Sequence, residues 1–128
     1  MKAFLKSYWA ALVWAAFILL LCGLPGKDLP NIDFWEINIE DKLAHVFVFA
    51  VLGILIIAGA SSSKQNKVSK RTIFISIAIG IFYGALTELL QGWLFPTRFS
   101  SLSDFIADGL GAILGTVFAF LYFSNRKE

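Results

Sequence analysis

The sequence predicts an all-α fold: a polytopic membrane four-helix bundle with both termini cytoplasmic. Three observations predict it. Of 128 residues, 58% are hydrophobic and 16% aromatic, with a mean hydropathy of +0.74, which is too apolar for a water-soluble domain of this size. Four stretches carry no formal charge: Ser7 to Gly26, Leu43 to Ser63, Thr72 to Thr87 and Gly109 to Asn125. A helix needs about 20 residues to cross about 30 Å of hydrocarbon, and each stretch approaches that length if the third continues past Glu88 and the fourth begins before Asp108. The third observation is charge placement. Lys2, Lys6, Lys64, Lys67, Lys70, Arg71, Arg126 and Lys127 are eight of the eleven basic residues, and they sit at the two ends of the chain and between the second and third stretches. Short segments rich in Lys and Arg stay cytoplasmic, so Ser63 to Lys70 is expected inside and Asn31 to Glu40 outside.

Helix 1 is expected over about residues 5–24. Lys2 and Lys6 before an apolar run resemble the start of a signal peptide, but no small-x-small cleavage site follows. Leu21 also stands where lipoprotein processing before Cys22 requires a small residue, so the helix reads as retained. Cys22 is the single cysteine, which excludes an internal disulfide and leaves it as an apolar filler. The connection "PGKDLPNIDFWEINIEDK" is irregular because of its prolines, and Phe34 and Trp35 within it suit the outer interface. Helix 2 then covers about 42–62, followed by "SSSKQNKVSKR", a solvated turn. Helix 3 covers about 71–94 and helix 4 about 102–123, with Ser101 or Ser103 as its cap and Asp104 in its first turn. Residues 1–128 read as one domain, with no strand pattern or internal repeat.

Polar residues interrupt these apolar runs at helical spacing. On helix 2, Asp41, His45, Phe49 and Gly53 recur every four residues and share a face. On helix 3, Gly80, Gly84, Glu88 and Gln91 stand three or four residues apart and likewise share a face, as do Asp104, Asp108, Gly111 and Gly115 on helix 4. Gly80, Gly84, Gly111 and Gly115 are candidate packing positions, because small residues four apart let helix backbones approach closely. Gly84→Leu or Gly111→Leu is accordingly expected to part helices 3 and 4. The alternating direction of the helices places Asp41, His45, Glu88, Gln91, Asp104 and Asp108 at similar depth in the outer half, with Arg98 of the "FPTRFSS" turn above them. Glu88 is expected within hydrogen-bond reach of His45 or Arg98.

Each of these residues also has an ordinary role open to it. His45 can be a packing histidine, Asp104 a cap, Asp41 a helix-start residue, and Arg98 a partner that pins the turn to Asp104. Glu88 and Asp108 are harder to place so, because an intramembrane carboxylate costs several kcal/mol unless it is paired or protonated.

The same residues carry a resemblance. "DKLAHVFVFAVLG" followed by "YGALTELLQGWLFPTRFSSLSDFIADGLGAILG" resembles the VanZ-like family of small bacterial membrane proteins over about residues 10–122. Asp108 stands where many relatives have asparagine. The resemblance implies four helices, a bacterial cytoplasmic membrane and an envelope role associated with resistance to the glycopeptide teicoplanin, while leaving the chemistry open.

Two functions are compatible with these residues. The first is a non-catalytic membrane protein whose outward polar pocket recognises an amphiphile: a lipid headgroup, a lipid-linked wall precursor or a lipoglycopeptide. Arg98 and Lys42 would meet phosphate, and Gln91 with the carboxylates Asp41, Glu88, Asp104 and Asp108 would meet hydroxyl or amine groups. The second is an intramembrane enzyme acting on a lipid or lipid-linked substrate, in which His45 and Glu88 act as acid and base, Asp41 or Asp108 orients the imidazole and Arg98 faces developing negative charge. The chain carries no serine nucleophile motif and no H-E-x-x-H pattern; one histidine and dispersed carboxylates could hold a divalent cation, but no metal or cofactor is expected. Expected partners are membrane lipids, a lipid-linked peptidoglycan precursor or a lipoglycopeptide, and no nucleic acid.

Overall fold

Desolvation of the peptide backbone leaves an apolar chain in lipid one open-ended choice, the helix, which satisfies its own N–H and C=O groups. The computed structural model follows it. It describes residues 1–23, 39–62, 68–94 and 102–126, and these form α1 (Lys2–Gly23), α2 (Ile39–Ser62), α3 (Lys70–Leu94) and α4 (Leu102–Asn125) with no strand among them. All four are long and apolar enough to cross a membrane. Phe34, Trp35, Ser63, Lys64, Lys67, Arg98 and Ser101 lie outside the described residues.

The helix ends differ from the sequence expectation by up to three residues, and the differences have causes. α2 starts at Ile39, so Asp41 falls inside its first turn, where an acidic group suits the positive end of the helix dipole. α3 is capped by a residue hidden in the polar turn: Ser69 Oγ accepts the backbone N–H of Thr72 at 3.2 Å. α4 starts at Leu102, which puts Ser103 in the first turn rather than at the cap.

α4 packs most closely on α2 and next on α3, while α1 packs on α2 and α3. Small residues set these distances. A Cβ at Gly111 would collide with the backbone of Val46, and one at Gly115 with the backbone of Ala50, so both glycines face α2. Gly53 returns the contact, since a Cβ there would lie 2.8 Å from Thr116 Oγ1. Gly80 and Gly84 face α4 instead, against Ala112 and Asp108. This corrects one expectation: Gly84→Leu would part α3 from α4, but Gly111→Leu would part α4 from α2. Ser76 and Thr116 share a buried hydrogen bond of 2.9 Å between α3 and α4.

α1 is held by two side chains whose polar atoms reach across apolar surroundings. Trp14 Nε1 donates to the carbonyl of Val48 on α2 at 2.9 Å, and Tyr83 Oη on α3 donates to the carbonyl of Ala15 at 2.5 Å. Between them lie the buried Ile18, Phe49 and Leu52. The outer faces carry exposed Phe47, Phe74, Phe82 and Phe118, an apolar perimeter suited to lipid rather than water.

Candidate functional site

Three helices bring polar groups to one level. His45 is six residues from the start of α2, Glu88 six from the end of α3, and Asp108 six from the start of α4, so each lies about 9 Å along its helix from the same end of the bundle. The glycine contacts described above determine how near they come. Val46, whose backbone covers Gly111, follows His45 directly, and Asp108 is one turn before Gly111. A Cβ at Gly84 would stand 2.9 Å from Asp108 Cβ and 3.2 Å from its Oδ2, so glycine at 84 makes the room that the carboxylate occupies.

The result is a graded polar cluster. Asp108 is innermost, with 1% of its side chain exposed; His45 follows at 20% and Asp41 at 51%. His45 Nδ1 donates to Asp108 Oδ1 at 2.7 Å, and its Nε2 lies 4.0 Å from Asp41 Oδ2, one turn earlier on the same helix. Lys42 is ion-paired with Asp104, bridging α2 and α4 at the rim. Glu88 is buried, and ligand-type atoms of His45, Glu88 and Asp108 all lie within 4.8 Å of one another. A second such group, Asp41, His45 and Asp104, lies nearer the rim. Asp108 Oδ2 is buried without a hydrogen-bond partner among the described residues.

Of the residues singled out in the sequence, Asp41, Lys42, His45, Glu88, Asp104 and Asp108 are brought together in this way. Gln91 is half-buried one turn beyond Glu88 on α3 and makes no side-chain hydrogen bond among the described residues. Arg98 lies outside them. Sequence reasoning did not find Thr87, which is buried beside Glu88 and returns its hydroxyl to the carbonyl of Gly84 at 2.9 Å. Its signal is the T-E pair itself: threonine before an intramembrane glutamate can bond its own helix and so be buried at little cost.

The sequence profile of VanZ/LLP1 matches residues 3–123, nearly the whole chain. The chain belongs to the VanZ/LLP1 family. The match takes in all four helices, so the polar cluster lies on the VanZ/LLP1 unit itself and not on an appended segment. No curated protein and no solved structure matches the chain at a significant level. Membership in VanZ/LLP1 together with four spanning-length helices makes this a multi-pass membrane protein.

Proposed function

We infer that this VanZ/LLP1 protein uses the polar cluster to recognise the head of an amphiphile, in a bacterial cytoplasmic membrane and with both chain termini inside. The observation that carries this reading is the gradient of exposure, from Asp108 at 1% through His45 at 20% to Asp41 at 51%, about 9 Å from the helix ends. That depth is where headgroups meet acyl chains. A ligand lying there keeps its chains against the apolar perimeter while its polar head meets Lys42, His45 and the carboxylates. Excess positive charge on the opposite side of the bundle supports placing this end outward. Suitable ligands are a phospholipid, a lipid-linked wall precursor or a lipoglycopeptide, and binding the last is the natural link to teicoplanin resistance.

The test is to carry the protein from membranes into lipid nanodiscs and identify retained amphiphiles by native mass spectrometry. One lipid class should be enriched over bulk composition and lost in His45→Ala and Glu88→Gln. Retention that mirrors bulk lipid in parent and variants alike rejects the proposal.

One observation favours a second reading. A 2.7 Å bond from the imidazole to a buried carboxylate is how a general base is oriented, and Glu88 lies within 4.8 Å to serve as its counterpart. Under this reading the purified protein releases a soluble head fragment from a phospholipid or lipid-linked precursor. Absence of turnover over hours, with binding intact, leaves the recognition role.

A further inference from the structure

We propose that His45, Glu88 and Asp108 form a site for one first-row divalent cation of the zinc or manganese kind, with Asp41 positioning the imidazole. One nitrogen and two carboxylates from three different helices already converge, their ligand-type atoms all within 4.8 Å of one another. A carboxylate as buried as Asp108 requires compensating charge or a proton, and a divalent cation supplies that charge while leaving the imidazole neutral. Lys42 is committed to Asp104 at the rim. Asp108 supplies the independent observation: its Oδ2 is buried, faces Gly84 and has no hydrogen-bond partner among the described residues.

The geometry closes with small movements. Ligands on a tetrahedral ion at bonds of about 2.0–2.1 Å stand about 3.3 Å apart. His45 Nδ1 and Asp108 Oδ1, at 2.7 Å, must therefore separate by about 0.6 Å, and the widest pair, at no more than 4.8 Å, must close by about 1.5 Å. Side-chain rotation covers both. On binding, the imidazole proton moves from Nδ1 to Nε2, where Asp41 Oδ2, now 4.0 Å away, accepts it. A carboxylate on the far ring nitrogen is the arrangement that orients a metal-bound histidine. The imidazole suits zinc and the two carboxylates suit zinc or manganese, whereas calcium and magnesium favour all-oxygen sites. Three protein ligands leave a fourth position for water or an incoming oxygen. The outer group of Asp41, His45 and Asp104 is the weaker choice, because Lys42 already neutralises Asp104 and Asp41 is half exposed.

The site stands whether or not the pocket takes an amphiphile, and the experiment keeps the two apart. The full chain, purified through a tag without histidine, is analysed by inductively coupled plasma mass spectrometry and by thermal melting with EDTA, Zn²⁺ or Mn²⁺. About one ion per chain should be retained, melting should fall with EDTA and rise with one of the two cations, and Asp108→Asn or Glu88→Gln should weaken binding at least about ten-fold. Asp104→Asn should retain the ion. A chain that retains no ion, and whose melting neither cation moves, overturns the proposal. So does an ion that survives both inner substitutions or is lost with Asp104→Asn. Should Asp108→Asn fail to fold, Glu88→Gln carries the test. Lipid retention measured in EDTA reports separately on the amphiphile.

Discussion

His45 Nδ1 donates to Asp108 Oδ1 at 2.7 Å beside the place where Gly111 meets the backbone of Val46, so a close backbone contact and the buried polar pair belong to one junction of α2 and α4. The bond should couple the two residues energetically. Interhelical hydrogen bonds in membranes are worth about 0.6–2 kcal/mol, so His45→Leu and Asp108→Leu should be non-additive by an amount in that range. Unfolding of both single variants and the double variant in detergent measures it. Additive effects would mean that the two side chains do not act as a pair.

The glycines should rank by what faces them. Gly115→Ala must push against the backbone of Ala50, which cannot give as a side chain can, and should lower the melting temperature clearly. Gly84→Ala meets the Asp108 side chain and should cost less. Gly109→Ala finds only Ile81 Cγ1 at 3.7 Å and, since alanine favours helix by about 1 kcal/mol over glycine, should be neutral or stabilising. Equal sensitivity at 109 and 115 would contradict the placement of α4.

Orientation in the membrane can be read at the two ends of α4. Leu102 and Asn125 are both exposed and stand at opposite ends of this helix. In a Cys22→Ala background, Leu102→Cys should react with an impermeant maleimide added outside intact cells, and Asn125→Cys only after lysis. The reverse pattern would turn the polar cluster inward.

How much of this was legible in the sequence depended on what kind of force fixed each feature. Helix number follows from the cost of charge in lipid, so uncharged stretches mark all four helices. Depth follows from helix direction, which is why His45, Glu88 and Asp108 can be set at one level without coordinates. Rotation about each axis is another matter. Asp108 and Gly111 are three residues apart and can be read as one face, yet α4 sits against two neighbours, and Gly111 turns to α2 while Asp108 also meets Gly84 of α3. A stripe of small residues says that something approaches closely but not which helix. The tethers from Trp14 and Tyr83 were illegible for a related reason: an aromatic residue in an apolar run counts toward hydropathy, while the one polar atom that aims it does not. Ser69 was hidden in a polar turn, where a cap looks like any other serine.

Glu88 offers the sharpest separation of role from packing. It is buried within 4.8 Å of His45 and Asp108, next to a threonine that bonds its own helix. Glu88→Gln keeps the shape and most of the hydrogen-bonding capacity but removes the charge and the titratable proton. If the carboxylate serves only to hold α3 to its neighbours, a neutral amide is cheaper to bury, and melting temperature should stay level or rise. If it recognises a ligand, holds a cation or moves a proton, the fold should persist while amphiphile retention, or protection of a host strain against teicoplanin, is lost. Both quantities are measured on the same variant. Helical content and a monodisperse elution profile first establish that the protein is folded, and retention or protection is then compared with the parent. A folded Glu88→Gln protein with full retention and protection would assign this glutamate to packing alone.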